Sequence, residues 1–505
     1  MRAESIGSRN TISERGSSIL EVLIAASILV LSITAATLLV FANQSLKLDS
    51  ETSDEALYKA KDSMESARAR ALGDFASVVP ILPAPDTIYS KELAVTDVTP
   101  CVKEVVGRIT WSAEANRPQK IELKTNLADI AGVLALGGDC ATKPPGKKWS
   151  NPQKFASDNF NPGKPVSIDV LNRTVYMGAD TYPFFYIADA GAATPGQSSG
   201  LFVNFSNGFT PGYQVNAVDA ARWRDPSTGA VKVYVYAAID STANQLQVID
   251  VSDIHNPVTV ATRSLSPCVI PTGSYPQGWR LYYYKDRLYL VTRETAGPEF
   301  HIFDVQDPTN PTELGMGACK GTELTTTINN LVVHEQVISG VIKRFAYAAT
   351  TLNSGELQVY DVTDPANVGA ISEVSAARQD LPGTQDGQSI YLVGNKIYFG
   401  RQSTPSGSDF YIYDASHPTT GLLLLGSKDI NTGAIALQIV GKFAFIGTPK
   451  TNQEFQVWDI SNPVNITNVA TYSFPKVVEN GTDYEPDFVY LTSAASDSLR
   501  IIYNP

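Results

Sequence analysis

Five aspartates end five look-alike segments, and a ring of carboxylates is one way for a protein to hold a cation. The segments run Leu246-Gln247-Val248-Ile249-Asp250, Phe300 to Asp304, Leu357 to Asp361, Phe410 to Asp414, and Phe455-Gln456-Val457-Trp458-Asp459. Four of them run on into Asn256-Pro257, Asn310-Pro311, His417-Pro418 and Asn462-Pro463. Chemistry normally uses one copy of a residue, whereas geometry reuses it at each repeat. Each carboxylate is therefore expected to accept backbone N–H groups of its own turn, in an Asx arrangement, and no metal ring is expected. His255, His301, His334 and His417 fall in different segments and share no ligand spacing. There is no calcium-loop pattern, no nucleophile elbow and no glycine-rich phosphate loop, so neither a cofactor nor an enzymatic activity is expected.

Glu21 poses a different chemical question. It interrupts an apolar run over residues 19–42, and a carboxylate in such a run costs several kcal/mol unless it finds a partner. Near a helix start the macrodipole also favours it. Residues 1–16 are polar, with Arg2, Arg9 and Arg15 against Glu4 and Glu14. Neither Gly nor Pro occurs from Ser17 to Leu72, which predicts one continuous helix roughly 80 Å long. Its first part is long enough to cross a bilayer. In its second part Leu57, Ala60, Met64, Ala67 and Ala71 recur at three and four residues among charges, which predicts a face that packs.

Gly16-Ser17-Ser18-Ile19-Leu20-Glu21 resembles the class III signal of type IV prepilins and pseudopilins. The resemblance implies cleavage between Gly16 and Ser17 by a prepilin peptidase, and N-methylation of the new amine. It also implies that Glu21 pairs with the N-terminal amine of a neighbouring pilin in a filament. Two positions depart from the major-pilin pattern: Ser17 is the first mature residue, and Leu38 stands where many pilins carry a helix-kinking Pro. Minor pilins and pseudopilins vary more at both places. The expected localisation is a membrane anchored by one N-terminal helix, with the rest extracytoplasmic, and extracellular once assembled in a pilus.

Pro80, Pro83 and Pro85 end any helix. Residues 102–111 and 120–124 read as two strands joined through Ala115-Asn116-Arg117-Pro118, and they look like the small sheet of minor pilins. Cys101 and Cys140 flank that sheet, and in an exported domain their bridge would resemble the pilin disulfide. Cys268 and Cys319 follow equivalent strands of consecutive later units, so they are a second candidate pair, with connectivity open. The expected divisions are a leader over 1–16, a transmembrane and stalk helix over 17–72, a pilin-like β module over 73–142, a linker over 143–150 and a β domain over 151–505.

That last domain is a repeat. Each pentapeptide follows a partner strand such as Val231-Lys232-Val233-Tyr234-Val235 or Lys396-Ile397-Tyr398-Phe399, and several partners follow a further strand across a two-residue turn. The turns are read as Leu171-Asn172, Gly394-Asn395 and Gly441-Lys442. The aspartate intervals are 54, 57, 53 and 45 residues, with degenerate copies at Phe185 to Asp189 and Leu499 to Tyr503. Units of about fifty residues predict a propeller of seven four-stranded blades. The chain stops after Asn504-Pro505, and Asn151-Pro152 supplies the missing turn, so the first strand is expected to complete the last blade. The pentapeptides resemble the LVIVD-repeat family of surface and extracytoplasmic propellers. The expected fold class is thus a long N-terminal helix with a small pilin-like sheet (α+β), followed by an all-β propeller.

A chain of 505 residues with 51 acidic and 39 basic residues carries a formal charge of −12, which argues against nucleic acid as a partner. The function expected is a minor type IV pilin-like protein displaying the propeller for adhesion or partner recognition, its ligand an unknown surface or protein. The alternative is a pseudopilin-like part of a secretion or uptake machine whose propeller binds cargo or a machine partner. The irregular hairpin loops, and Tyr275 and Trp279 before a tyrosine run, are the candidate contacts on the propeller.

Overall fold

The computed structural model describes residues 19–73, 75, 78–86, 88–99, 102–112, 118–129, 149–159, 164–203, 212–265, 276–294, 297–317, 320–324, 326–339, 341–364, 371–405, 407–475, 477–485, 487–494 and 497–505. The chain divides into two compact units, one holding residues 1–98 and 102–129 and the other residues 99–101 and 130–505.

In the first unit Ile19–Gly73 is a single helix of 55 residues. Its packed face is a stripe of small side chains, Ala56, Ala60 and Ala67 with Met64, whereas Leu57 is only half-buried. This stripe lies on Tyr89, Leu93, Val105, Ile109 and Trp111. Four antiparallel strands form the sheet in sequential order: Ile81–Asp86, Tyr89–Thr99, Val102–Ser112 and Pro118–Ala128. The first two were not expected, because Pro83 and Pro85 speak against a strand. They sit on an edge strand, where a missing N–H costs no ladder bond.

Val102–Ser112 alternates buried and half-buried positions, which puts Val105, Gly107, Ile109 and Trp111 on the helix side. At Gly107 an added Cβ would stand 3.0 Å from Met64 Sδ and 3.7 Å from the Ala60 carbonyl oxygen. The bare backbone is what lets the helix approach. Gly107→Leu is expected to destabilise this unit by about 1–3 kcal/mol through overpacking. Faster limited proteolysis within residues 19–129 checks it, and unchanged cleavage would refute it.

The second unit is a ring of seven sheets. The inner strands are Pro165–Leu171, Val215–Arg224, Gly278–Tyr284, Ile328–Ile338, Gly387–Val393, Ala436–Val440 and Val477–Glu485, in blades 1 to 7. Each lies beside the inner strand of the next blade, and the seventh beside the first. Seven apolar clusters fill the spaces between neighbouring blades, one per interface. The second strands are sandwiched by this arrangement, so Arg287–Thr292, Lys396–Arg401 and Phe488–Ser493 are buried along almost their whole length.

Gln153–Asp158 pairs antiparallel with Leu499–Tyr503 and is the fourth strand of blade 7, as the matching ends of the repeat require. The hairpin turns at Gly394-Asn395 and Gly441-Lys442 lie where expected. In blade 1 the turn is one residue later, at Asn172-Arg173, both in the left-handed region at φ 56° and 61°. Trp149, expected in a linker, is fully buried between blades 6 and 7, its ring edge-on to Phe445 at 4.8 Å.

The expected fold class needs correction. The described residues are dominated by 31 strands in eight sheets, the sheet of the first unit has four strands where two were expected, and the blades are not uniform. Among the described residues, blade 1 is a three-stranded sheet with the isolated bridge Ala188↔Phe202 at its outer place. Among the described residues no helix is long and apolar enough to cross a membrane. The side chains of residues 19–22, 25 and 41–42, part of the apolar run, lie outside that set.

Candidate functional site at the propeller centre

The repeat aspartates are each consumed by their own turn. Ser252, Gln306, Thr363, Ser416 and Ser461 donate their N–H groups to Asp250, Asp304, Asp361, Asp414 and Asp459 at 2.8–3.0 Å. Gly191 does the same for Asp189 at 2.8 Å in the degenerate first copy. Lys232 and Lys343 add ion pairs from the preceding strand, both at 3.0 Å, and Lys442 adds one from the hairpin turn before it, at 2.9 Å. At Asp459 burial raises the carboxyl, but the bonds from Ser461 and Lys442 outweigh it and bring it down to about 2. These carboxylates fix turns, and among the described residues no three metal-ligating side chains are grouped to hold an ion.

A second column, of three glutamates and one glutamine, was missed in the sequence. Gln245, Glu299, Glu356 and Glu454 stand immediately before the third strand of their blades. Their side-chain oxygens accept the N–H of Leu265, Leu324, Leu381 and Phe474, at 3.0, 2.8, 2.9 and 3.0 Å. The irregular loops thus end on a fixed anchor, which leaves only their outer residues free to recognise anything.

A third set converges on the centre of the ring. At one register level, opposite the aromatic of each second strand, the inner strands carry Asp169, Asp219, Tyr282, Val332, Tyr391, Gln438 and Asp483. Inner strands are sheet edges with unpaired N–H groups, and each aspartate answers one from the next blade. Val170 N–H donates to Asp483 and Ala220 N–H to Asp169, both at 2.6 Å, and Tyr283 N–H donates to Asp219 at 2.7 Å. Gln438 reaches the same way, its Nε2 donating to Asp483 Oδ1 at 2.8 Å. Above this level Asn330 Nδ2 donates to Asn480 Oδ1 at 2.6 Å, which joins blades 4 and 7 across the ring.

Burial is the main force on these carboxyls. It pushes Asp169 up to about 6, against the bonds from Ala220, Asp483 and Val170. Burial, then the neighbouring Asp169, drives Asp219 and Asp483 well above the usual carboxylate range. The Tyr282 and Tyr391 hydroxyls are raised as well, first by burial and then by the aspartates. Each of these aspartates already bridges two blades.

Of the residues singled out in the sequence, Trp279 lies at a β-bulge of the blade 3 inner strand and is half-buried. Arg280 and Arg293 stand over its ring at 3.8 and 3.9 Å. A ligand stacking on Trp279 would compete with guanidinium groups already at its ring. Glu21 lies on the long helix, and its side chain is outside the description. Gly16, Ser17, Tyr275, Cys101, Cys140, Cys268 and Cys319 lie outside the described residues.

In blade 6 the second strand, the pentapeptide and its turn fall within a segment that matches the family model for the LVIVD repeat. Residues 433–473 match the LVIVD repeat. The topology extends the unit beyond the match, since blades 2 to 5 share the strand order and the turn-capping aspartate of this segment. No curated protein matches the sequence. Among solved structures, the computationally designed Ika8 protein aligns at TM-score 0.40 and 12% identity, over 70% of this chain and 99% of its own. The Cps50 (Swd1) β-propeller domain of Myceliophteria thermophila aligns at 0.40 and 11%, over 69% and 99%. The periplasmic gluconolactonase PpgL of Pseudomonas aeruginosa aligns at 0.40 and 10%, over 68% and 99%. The propeller assignment rests on the chain's own closed ring of sheets.

Proposed function

We propose that this protein is a minor pilin-like subunit that displays an LVIVD-type propeller for recognition of a surface or a partner protein. The observation that carries the reading is the two-part character of the helix Ile19–Gly73, which begins three residues after Gly16. Its described side chains from Leu23 to Val40 are exposed and mostly apolar, while Ala56, Ala60, Met64 and Ala67 are buried on the sheet. The hydroxyls of Ser27, Ser32, Thr34 and Thr37 donate to carbonyls four residues back, at 2.7–2.8 Å, so they offer no unpaired group to apolar surroundings. Such a segment suits a lipid bilayer before assembly and other pilin helices after it. Prepilin peptidase would cut between Gly16 and Ser17, and Glu21 would meet a neighbour's amine.

The propeller then serves as a binding head and not as an enzyme. The turn aspartates, the loop-end acids and the central aspartates each hold backbone N–H groups, which leaves recognition to the outer loops. The test is a chain stopped after Ala141 at its native locus. Filaments are expected to persist while surface attachment falls to background. If filaments are lost with the propeller, it belongs to the assembly or secretion machinery and the recognition reading fails.

A further inference from the structure

In a repeat fold, a task given to one copy alone shows where a single blade departs from the rest. Blade 3 departs at two positions that touch each other. In blades 1 to 5 the inner strand leaves one residue bulged: Val166, Asn216, Trp279, Asn329 and Gln388. Asn216 and Asn329 use that place structurally, donating Nδ2 to the carbonyls of Gly278 and Gly387 in the next blade, both at 2.7 Å. Trp279 makes no such bond, and its buried ring N–H has no acceptor among the described residues. Arg280 joins the blades in its place, donating to the carbonyls of Asn216 and Asn329 at 3.3 and 2.9 Å. The second position follows directly on the second strand. Blade 3 carries Arg293 there, where the other six blades carry aspartate, threonine, glutamine, proline or alanine.

Arg293 is exposed, and its guanidinium stands 3.9 Å from the centre of the Trp279 ring. Its backbone is fixed on both sides: its carbonyl accepts from Thr292 Oγ1, and Glu294 N–H donates to Thr327 Oγ1, both at 3.1 Å. Among the described residues the guanidinium has neither a hydrogen bond nor a carboxylate partner. A fork of N–H donors that a ring holds in place, and that no acid of the chain neutralises, is pre-organised for a planar anion. Arg280 adds positive charge at the same ring, 3.8 Å from its centre. Glu294 is also exposed, and its carboxylate has no partner among the described residues. It repels a ligand dense in negative charge, such as an acidic peptide, and so does a chain of net charge −12. It accepts hydroxyl groups readily.

We infer that Trp279, Arg293 and Glu294 form a binding site for a sugar acid, a ring that bears one carboxylate among hydroxyl groups. The carboxylate accepts from the Arg293 guanidinium, Trp279 holds that guanidinium ready, and the hydroxyls donate to Glu294. The anion and the hydroxyls are thus read by neighbouring residues of one loop, on a backbone that Thr292 and Thr327 keep still. This inference rests on the reading of the propeller as a recognition head, and it names the ligand class.

The experiment titrates trigalacturonate into the purified full chain by calorimetry, beside its uncharged trimethyl ester, hexaglutamate and inorganic phosphate. Trigalacturonate is expected to bind, and each of the other three to bind about tenfold more weakly or worse. Arg293→Gln is expected to weaken trigalacturonate about tenfold and to leave the melting temperature in place, because the guanidinium bonds nothing in the chain. Absence of binding overturns the site, and so does equal binding of acid and ester or of the substituted and unsubstituted chains. Tighter binding of hexaglutamate or phosphate overturns the sugar assignment. Surface attachment separates this failure from that of the wider reading. If the chain stopped after Ala141 loses attachment while trigalacturonate does not bind, the propeller still recognises a partner and this site falls. If that shortened chain attaches normally, the recognition reading falls by itself, and calorimetry on the full chain still decides the site.

Discussion

A chain lacking residues 149–158 is expected to lose cooperative unfolding of its propeller and to aggregate on expression. The segment is one strand and one tryptophan, yet it closes the ring. Gln153–Asp158 pairs along the whole of Leu499–Tyr503, and without it that strand is an open edge. Phe155 lies edge-on to Phe488 and Tyr503 at 4.8 and 5.4 Å, and the buried Ala156 fills the cluster between blades 7 and 1. Asp158 leaves with the segment, which abandons the N–H groups of Leu201 and Phe202. Trp149 is fully buried, and emptying a tryptophan site alone costs about 3–5 kcal/mol. Together these losses rival the 5–15 kcal/mol by which a domain is stable at all. Urea unfolding followed by circular dichroism checks it: a single sharp transition near that of the intact chain would show that the ring does not depend on this strand.

Much of this closure was legible in the sequence, because its signals are local and repeated. Each pentapeptide brings its own aspartate and its own turn, so one blade teaches the next, and the loose ends at Asn151-Pro152 and Asn504-Pro505 are two halves of one turn. The loop-end acceptors were equally available, as a column of Gln245, Glu299, Glu356, Asp409 and Glu454 directly before the third strands. They were missed because the residue they bond lies twenty or more positions away, after the fourth strand. The central aspartates offered no such column. Their level reads Asp, Asp, Tyr, Val, Tyr, Gln, Asp around the ring, and each partner N–H belongs to another blade. A β-bulge in most of the inner strands also shifts the alternation on which sequence reading depends. The first two strands beside the helix stayed hidden for the converse reason: proline forbids a central strand but not an edge.

Blade 5 breaks the pattern of second-strand ends, and the second large effect is expected there. Where blades 3, 4 and 6 carry Thr292, Thr350 and Thr448, blade 5 carries Arg401, almost fully buried, and no lone guanidinium can be neutralised by losing its proton. It donates to the carbonyls of Pro382 and Gln385 at 3.0 and 3.3 Å and lies 3.9 Å from Oε1 of the fully buried Glu356. Glu356 also anchors Leu381 N–H through Oε2. Burial raises the Glu356 carboxyl, and the Leu381 bond and Arg401 only partly offset it, so this pair is strained for solvation and not a source of surplus stability. Glu356→Leu is expected to cost about 3–5 kcal/mol, because it leaves a buried cation uncompensated and an N–H unpaired. Glu356→Gln keeps the acceptor for Leu381 and is expected to cost about half as much. Joining Arg401→Leu to Glu356→Leu removes the stranded charge, and the double variant is expected to be more stable than Glu356→Leu alone. A double-mutant cycle by urea unfolding measures this coupling. Simple addition of the two single costs would mean that Arg401 is held by its carbonyls alone, and that Glu356 serves only the Leu381 anchor.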